Sequence, residues 1–95
     1  MIVLNVTYEL KENVSPADFV NALEENGLAP YCRQEKGNIC YSYFYPADGS
    51  SQVLLLEKWE DEESLTAHAQ TDNFAKIGQI KNQYVENTEI RKYTE

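Results

Sequence analysis

From the first residue the apolar positions alternate: Ile2, Leu4, Val6, Tyr8 and Leu10 on one side, Val3, Asn5, Thr7 and Glu9 on the other. A period of two, rich in β-branched residues, predicts a strand over 1–10. One face is wholly apolar. The other carries Asn5 in its middle, a polar group that must meet solvent or find partners. After a turn at 11–14 the period lengthens. Ser15 suits an N-cap, Pro16 the first helical position, and Asp18 the third position of a capping box. Val14 and Phe19 have the spacing of a hydrophobic staple, and Phe19, Val20, Leu23 and Gly27 form the expected buried stripe. Asn26-Gly27 ends or bends this helix. A shorter helical piece follows over 28–34 despite Pro30, and Gly37 stops it.

The pattern then returns to strands, over 38–45 and 52–60, joined by the turn at 46–51. Both are apolar on both faces. Ile39, Tyr41, Tyr43 and Tyr45 oppose Cys40 and Phe44, while Val53 and Leu55 oppose Leu54 and Leu56. In an antiparallel sheet with helices on one side, the far side should be polar. Here it is not, so something must cover it, and in so short a chain the expected cover is a second copy of the sheet: a homodimer. A helix over 61–70 begins with acids that suit its dipole and places Leu65, His68 and Ala69 on one face. A second helix over 71–84 has Phe74, Ile77, Ile80 and Tyr84 as its buried row. A more polar strand over 85–93 reads as an edge. The order β-α-β-β-α-β predicts an α+β, ferredoxin-like fold in one domain spanning 1–95: a four-stranded antiparallel sheet with helices on one face. That plan by itself implies no function.

Charge and cysteine usage exclude more than they assign. A net charge of −8 and no cluster of Lys or Arg argue against nucleic acid and anionic membranes as partners. The opening residues lack the basic start of a signal peptide and no run is long enough to span a bilayer, so a cytoplasmic location is expected. Cys32 and Cys40 are eight residues apart, without a C-x-x-C or a His at metal spacing, and read as reduced structural thiols. Nucleotide, phosphate and metal motifs are absent.

The candidate chemistry gathers around His68, the one side chain that titrates near neutrality without a large shift. It is placed to face the sheet that carries Asn5. Trp59 ends an apolar strand, and Glu57 shares its face, either exposed or paired with a base such as His68 or Arg33. Tyr41, Tyr43 and Tyr45 line one face of their strand, as core, as dimer surface, or as donors to a substrate oxygen.

Three segments carry a family resemblance: R-x-E-x-G-N-x-x-Y from Arg33 to Tyr41, L-L-x-E-x-W-x-D-x-x-x-L-x-x-H from Leu54 to His68, and D-N-F from Asp72 to Phe74. In this order and spacing the chain resembles the antibiotic biosynthesis monooxygenase family over almost its whole length. The resemblance implies a dimeric α+β barrel, two ferredoxin-like subunits packed sheet to sheet. It also implies a pocket between helices and sheet, lined by Asn5, Trp59 and His68, with Arg33, Tyr41, Glu57 and Phe74 near and binding substrate. Members include cofactor-free oxygenases of polycyclic phenols and quinone precursors, haem-degrading enzymes, and an enzyme that processes a phosphorylated signal sugar. The implied function is a cofactor-independent monooxygenase, or related oxidoreductase, of a small aromatic or quinone-like substrate. His68 would be the base, with Asn5 and Trp59 orienting substrate oxygens. Haem is disfavoured because Ile77-Gly78-Gln79-Ile80 stands where that branch has its iron-binding His. The expectation is therefore no cofactor and no metal. The alternative is a non-catalytic dimer that binds a small metabolite or serves a stress response.

Overall fold

The structure, a computed structural model, describes all 95 residues, Met1–Glu95. Its elements run β1 (Ile2–Leu10), α1 (Pro16–Glu25), α2 (Leu28–Arg33), β2 (Asn38–Phe44), β3 (Gln52–Trp59), α3 (Glu62–Ala69), α4 (Asp72–Tyr84) and β4 (Val85–Thr94). The strands form one sheet in the order β2-β3-β1-β4, with every neighbouring pair antiparallel. This is the ferredoxin-like α+β plan that the hydrophobic pattern predicts. Each helical region holds two helices, with the breaks where the sequence pattern places them, giving four helices. No helix is long and apolar enough to cross a membrane.

The helix starts follow from side-chain caps. Ser15 Oγ accepts from the Asp18 N–H, Asp61 Oδ1 from Ser64, and Thr71 Oγ1 from Phe74. Two such caps only ten residues apart explain why α3 and α4 are separate. Gly27 is not part of the buried stripe of α1. It is exposed and left-handed, with φ 74°, and forms the joint from which α2 departs. Phe19 and Leu23 do bury fully, against a core of 16 residues that includes Tyr8, Leu28, Ala29, Cys32, Leu55 and Trp59.

Gly37, at φ 83°, holds the crossing between α2 and β2, and a Cβ there would collide with the Ser64 side chain on α3. Gly37→Ala is therefore expected to lower stability by about 1–3 kcal/mol, read by denaturant unfolding. A loss within error would mean that the crossing adapts without strain.

The sheet separates two environments. Ile2, Leu4, Val6, Tyr8 and Leu10 of β1 turn toward the helices, and the first four pair with Trp59, Glu57, Leu55 and Val53 of β3. The opposite face carries no helix. It presents Val3, Asn5 and Thr7 of β1, Leu54 and Leu56 of β3, and Ser42 and Phe44 of β2. The predicted tyrosine stripe of β2 shortens to Tyr41 and Tyr43. Ile39 sits in a register shift and Tyr45 lies past the strand end, so both are more than half exposed.

Candidate functional site

Because β3 alternates, Glu57 and Trp59 both reach the helix-covered face, opposite Leu4 and Ile2 of β1. The Asp61 cap sets the phase of α3 so that His68 is its one buried residue. The turn after α2 brings Glu35 to the same place. Trp59 is fully buried, and its indole Nε1 donates to Glu57 Oε1 at 3.1 Å. The centre of the His68 ring lies 4.6 Å from that of Trp59, with the ring centres of Tyr41 and Phe74, in edge-to-face arrangement, at 6.0 and 5.2 Å.

His68 Nδ1 is 2.8 Å from Glu35 Oε1. A carboxylate only accepts, so the shared proton is assigned to Nδ1, leaving the Nε2 lone pair free. Nε2 stands 3.8 Å from Glu57 Oε1, outside hydrogen-bond reach. Burial raises the Glu57 carboxyl above its ordinary range, opposed by the Trp59 N–H, by His68 whenever its ring is protonated, and by the Lys81 charge. Burial likewise lowers the Lys81 ammonium, which Glu57 partly offsets, and Lys81 Nζ lies 5.3 Å from the centre of the Tyr8 ring.

These groups face a cavity of about 150 Å³ between α3, α4 and the sheet. Glu57, His68 and Lys81 supply its polar points; Leu4, Val6, Tyr8, Leu65, Ala69, Phe74 and Ile90 supply the rest of the wall. Of the residues singled out in the sequence, His68, Glu57 and Phe74 therefore line one space. Phe74 is not part of a fully buried row: it is 40 % exposed, at the rim. Trp59 and Tyr41 are buried and flank His68 without lining the cavity. Arg33 points elsewhere, donating to the Tyr41 carbonyl at 2.9 Å and pairing through both terminal nitrogens with Glu24.

Asn5 does not join the cavity. Its neighbours Leu4 and Val6 point at the helices, so strand alternation sends Asn5 to the uncovered face, beside Leu56 and Arg91. Glu35, Lys81 and Tyr8 complete the arrangement and were not singled out. Lys81 does follow Phe74 and Ile77 at the i, i+3, i+7 spacing of one helix face, a signal that its charge obscured. Glu35 is the acid of the R-x-E-x-G-N-x-x-Y segment, which places it in the family pattern and gives it no role.

The raised carboxyl of Glu57 has a consequence for stability. The folded state holds this proton more tightly than the unfolded chain, so its contribution is present at acid pH. That contribution is lost as pH climbs from the ordinary carboxylate range to the raised Glu57 value. Glu57→Gln keeps an acceptor for Trp59 and removes the titration. The variant is expected to lose less stability than the parent across that window, measured by urea unfolding at stepped pH. Parallel pH profiles would show that Glu57 titrates normally.

The model of the antibiotic biosynthesis monooxygenase family matches residues 1–79. A Bacillus subtilis protein bearing the name "Putative monooxygenase YcnE" is 31% identical over 74 residues, 78% of this chain and 75% of the relative. Among solved structures, a Shewanella oneidensis protein superposes with a TM-score of 0.84 at 27% identity, covering 97% of this chain and 87% of its own. SnoaB from Streptomyces nogalater, titled a cofactor-independent oxygenase, gives a TM-score of 0.84 over 99% of this chain and 91% of its own. At 12% identity it speaks for the fold alone. With most of its length matched by the family model and by a relative above 30% identity, this chain belongs to the antibiotic biosynthesis monooxygenase family.

Proposed function

We propose that the protein is a cofactor-independent monooxygenase of a small phenol, hydroquinone or related quinone-like compound, bound in the cavity beside His68. The observation that carries this reading is the meeting of a buried imidazole and a buried carboxyl on otherwise apolar walls, in a chain of this family. An electron-rich phenol supplies the electrons itself. His68 Nε2 takes the hydroxyl proton, and the anion then reduces oxygen. One oxygen atom enters the ring and the other leaves as water, so that a phenol and O₂ give a quinone and water with no outside reductant. Apolar walls favour the step by excluding water from the reacting pair. Trp59 serves here by holding Glu57, since its N–H is already used.

Cavity size narrows the substrate. A space of roughly 150 Å³, open at the Phe74 and Ile90 rim, is the size of a cavity that takes benzene. Single-ring phenols and hydroquinones are therefore the expected substrates, and tricyclic phenols the poor ones. Oxygen consumption by metal-free protein across both sets tests this. Uptake with single rings supports the reading. Binding without uptake would make the protein a metabolite-binding module, and neither would remove the cavity from consideration.

The uncovered sheet face supports the second half of the proposal, a homodimer packed sheet to sheet. Leu54 and Leu56 are only half-buried and Phe44 is 49 % exposed, with no element of this chain above them. Sedimentation at micromolar concentration is expected to give twice the 10.9 kDa chain mass. Leu56→Asp should return it to one. A monomeric parent would refute the arrangement.

A further inference from the structure

Cys32, Glu35 and His68 bring a thiol sulfur, a carboxylate oxygen and an imidazole nitrogen within 4.8 Å of one another. We propose that this trio is a binding site for a divalent cation of the zinc class, ligated by Cys32 Sγ, the Glu35 carboxylate and His68 Nδ1, with water as the fourth donor. The hydrogen bond between Glu35 and His68 accounts for two of the three groups. It does not account for the thiol beside them, which the oxygenase chemistry leaves unused.

The geometry suits such an ion. Glu35 N–H donates to the Cys32 carbonyl at 3.2 Å, so both side chains leave one turn at the end of α2, and His68 meets them from α3. Metal–donor bonds of 2.0–2.3 Å place the donors of a tetrahedral ion roughly 3.3–3.8 Å apart. The trio therefore needs shifts of about an ångström or less, with the Glu35–His68 contact opening and the sulfur closing in. The donor mixture selects the metal: zinc accepts sulfur, nitrogen and oxygen together, whereas magnesium and calcium take oxygen.

The surroundings supply the outer contacts that metal ligands require. Asn73 Nδ2 lies 3.5 Å from Cys32 Sγ and is anchored on the Leu28 carbonyl at 3.0 Å, a ready donor to a thiolate. With an ion on Nδ1, the ring proton of His68 moves to Nε2, on the side of Glu57 Oε1. Cys32 and His68 are buried while Glu35 is partly open to solvent, which gives an ion its entry path. No linear motif announces the site, because His68 lies 33 residues beyond Glu35 and arrives only through the fold.

Cobalt(II) is the probe. Protein treated with a chelator and titrated with cobalt should bind one equivalent. Its spectrum should show a thiolate-to-cobalt charge-transfer band in the near ultraviolet and the intense visible bands of a four-coordinate ion, and zinc should erase both. Cys32→Ser should abolish the charge-transfer band, Cys40→Ser should keep it, and Glu35→Gln should weaken binding at least tenfold. A pale, six-coordinate cobalt spectrum in the parent, or a charge-transfer band that survives Cys32→Ser, would overturn the proposal. Should Cys32→Ser fail to fold, the near-isosteric Glu35→Gln decides: unchanged affinity overturns the site. The readout does not use oxygen uptake, so the site is tested by itself; a bound ion would put the ring proton on Nε2, and the base role of His68 belongs to the metal-free protein.

Discussion

Replacing Trp59 with alanine is expected to cost about 3–5 kcal/mol, among the largest losses any single substitution in this chain should produce. The ring is fully buried among Ile2, the first residues of β2 and His68, and its removal leaves a cavity that the sheet cannot close. The same change strips Glu57 of its hydrogen-bond donor and His68 of the ring at 4.6 Å. Against a total stability of roughly 5–15 kcal/mol, the variant would be marginal at best. Trp59→Phe separates the two roles. It restores most of the packing but leaves the buried Glu57 oxygen unpaired, a loss of about 1–3 kcal/mol. Denaturant unfolding of both variants reads the difference. A Trp59→Ala loss below about 1 kcal/mol would show that this end of the core is loosely held.

The second large effect is kinetic. His68→Gln approximates the volume of the ring, retains polar atoms toward Glu35, and removes the Nε2 lone pair on the side of Glu57, which also lines the cavity. If that lone pair takes the substrate proton, turnover should fall by about 10²–10⁴-fold. KM should change far less, since the apolar walls around a single ring remain. Raising the pH toward the substrate's own hydroxyl pKa should recover part of the rate, because the substrate then ionises in water. A variant that turns over at the parental rate would assign the proton to another group, and Glu57 across the gap is the next to test.

The pattern of β1 and β3 made the sheet legible, because alternation with a period of two is both a sequence signal and the physical cause of a strand with two faces. The same alternation should have separated Asn5 from Trp59. Residue matching to a family grouped them, while Leu4 and Val6, on either side of Asn5, already pointed to the core. Glu57 and His68 were legible as types of residue, a carboxyl and an imidazole on otherwise apolar faces. Their distance was not, since it depends on the phase that Asp61 gives α3. Glu35 stands in the R-x-E segment without a role for a related reason: a carboxylate in a polar turn looks like solvent-facing charge until α3 packs over it. Lys81 carried a helical signal that its charge argued against, because a lysine covers apolar surface with its stem while its ammonium stays near the rim. The split helices were legible, with breaks at Asn26-Gly27 and between 70 and 71. Gly27 was read as a stop or bend and also placed in the core, and only the second reading failed, since its left-handed φ turns the chain outward.

The alternation along β1 also bears on which changes of chain length this gene could survive. Even-numbered codons there encode the cavity wall and core, and odd-numbered ones the face that another sheet would meet. Losing one codon in mid-strand exchanges the two sets beyond the break, sending Asn5 or Thr7 toward the helices and Val6 or Tyr8 outward. Losing two keeps the sets in place and only shortens the strand. Among natural variants of this chain, insertions and deletions should therefore gather in the turns before α1 and between β2 and β3. Those that enter β1 should come in pairs.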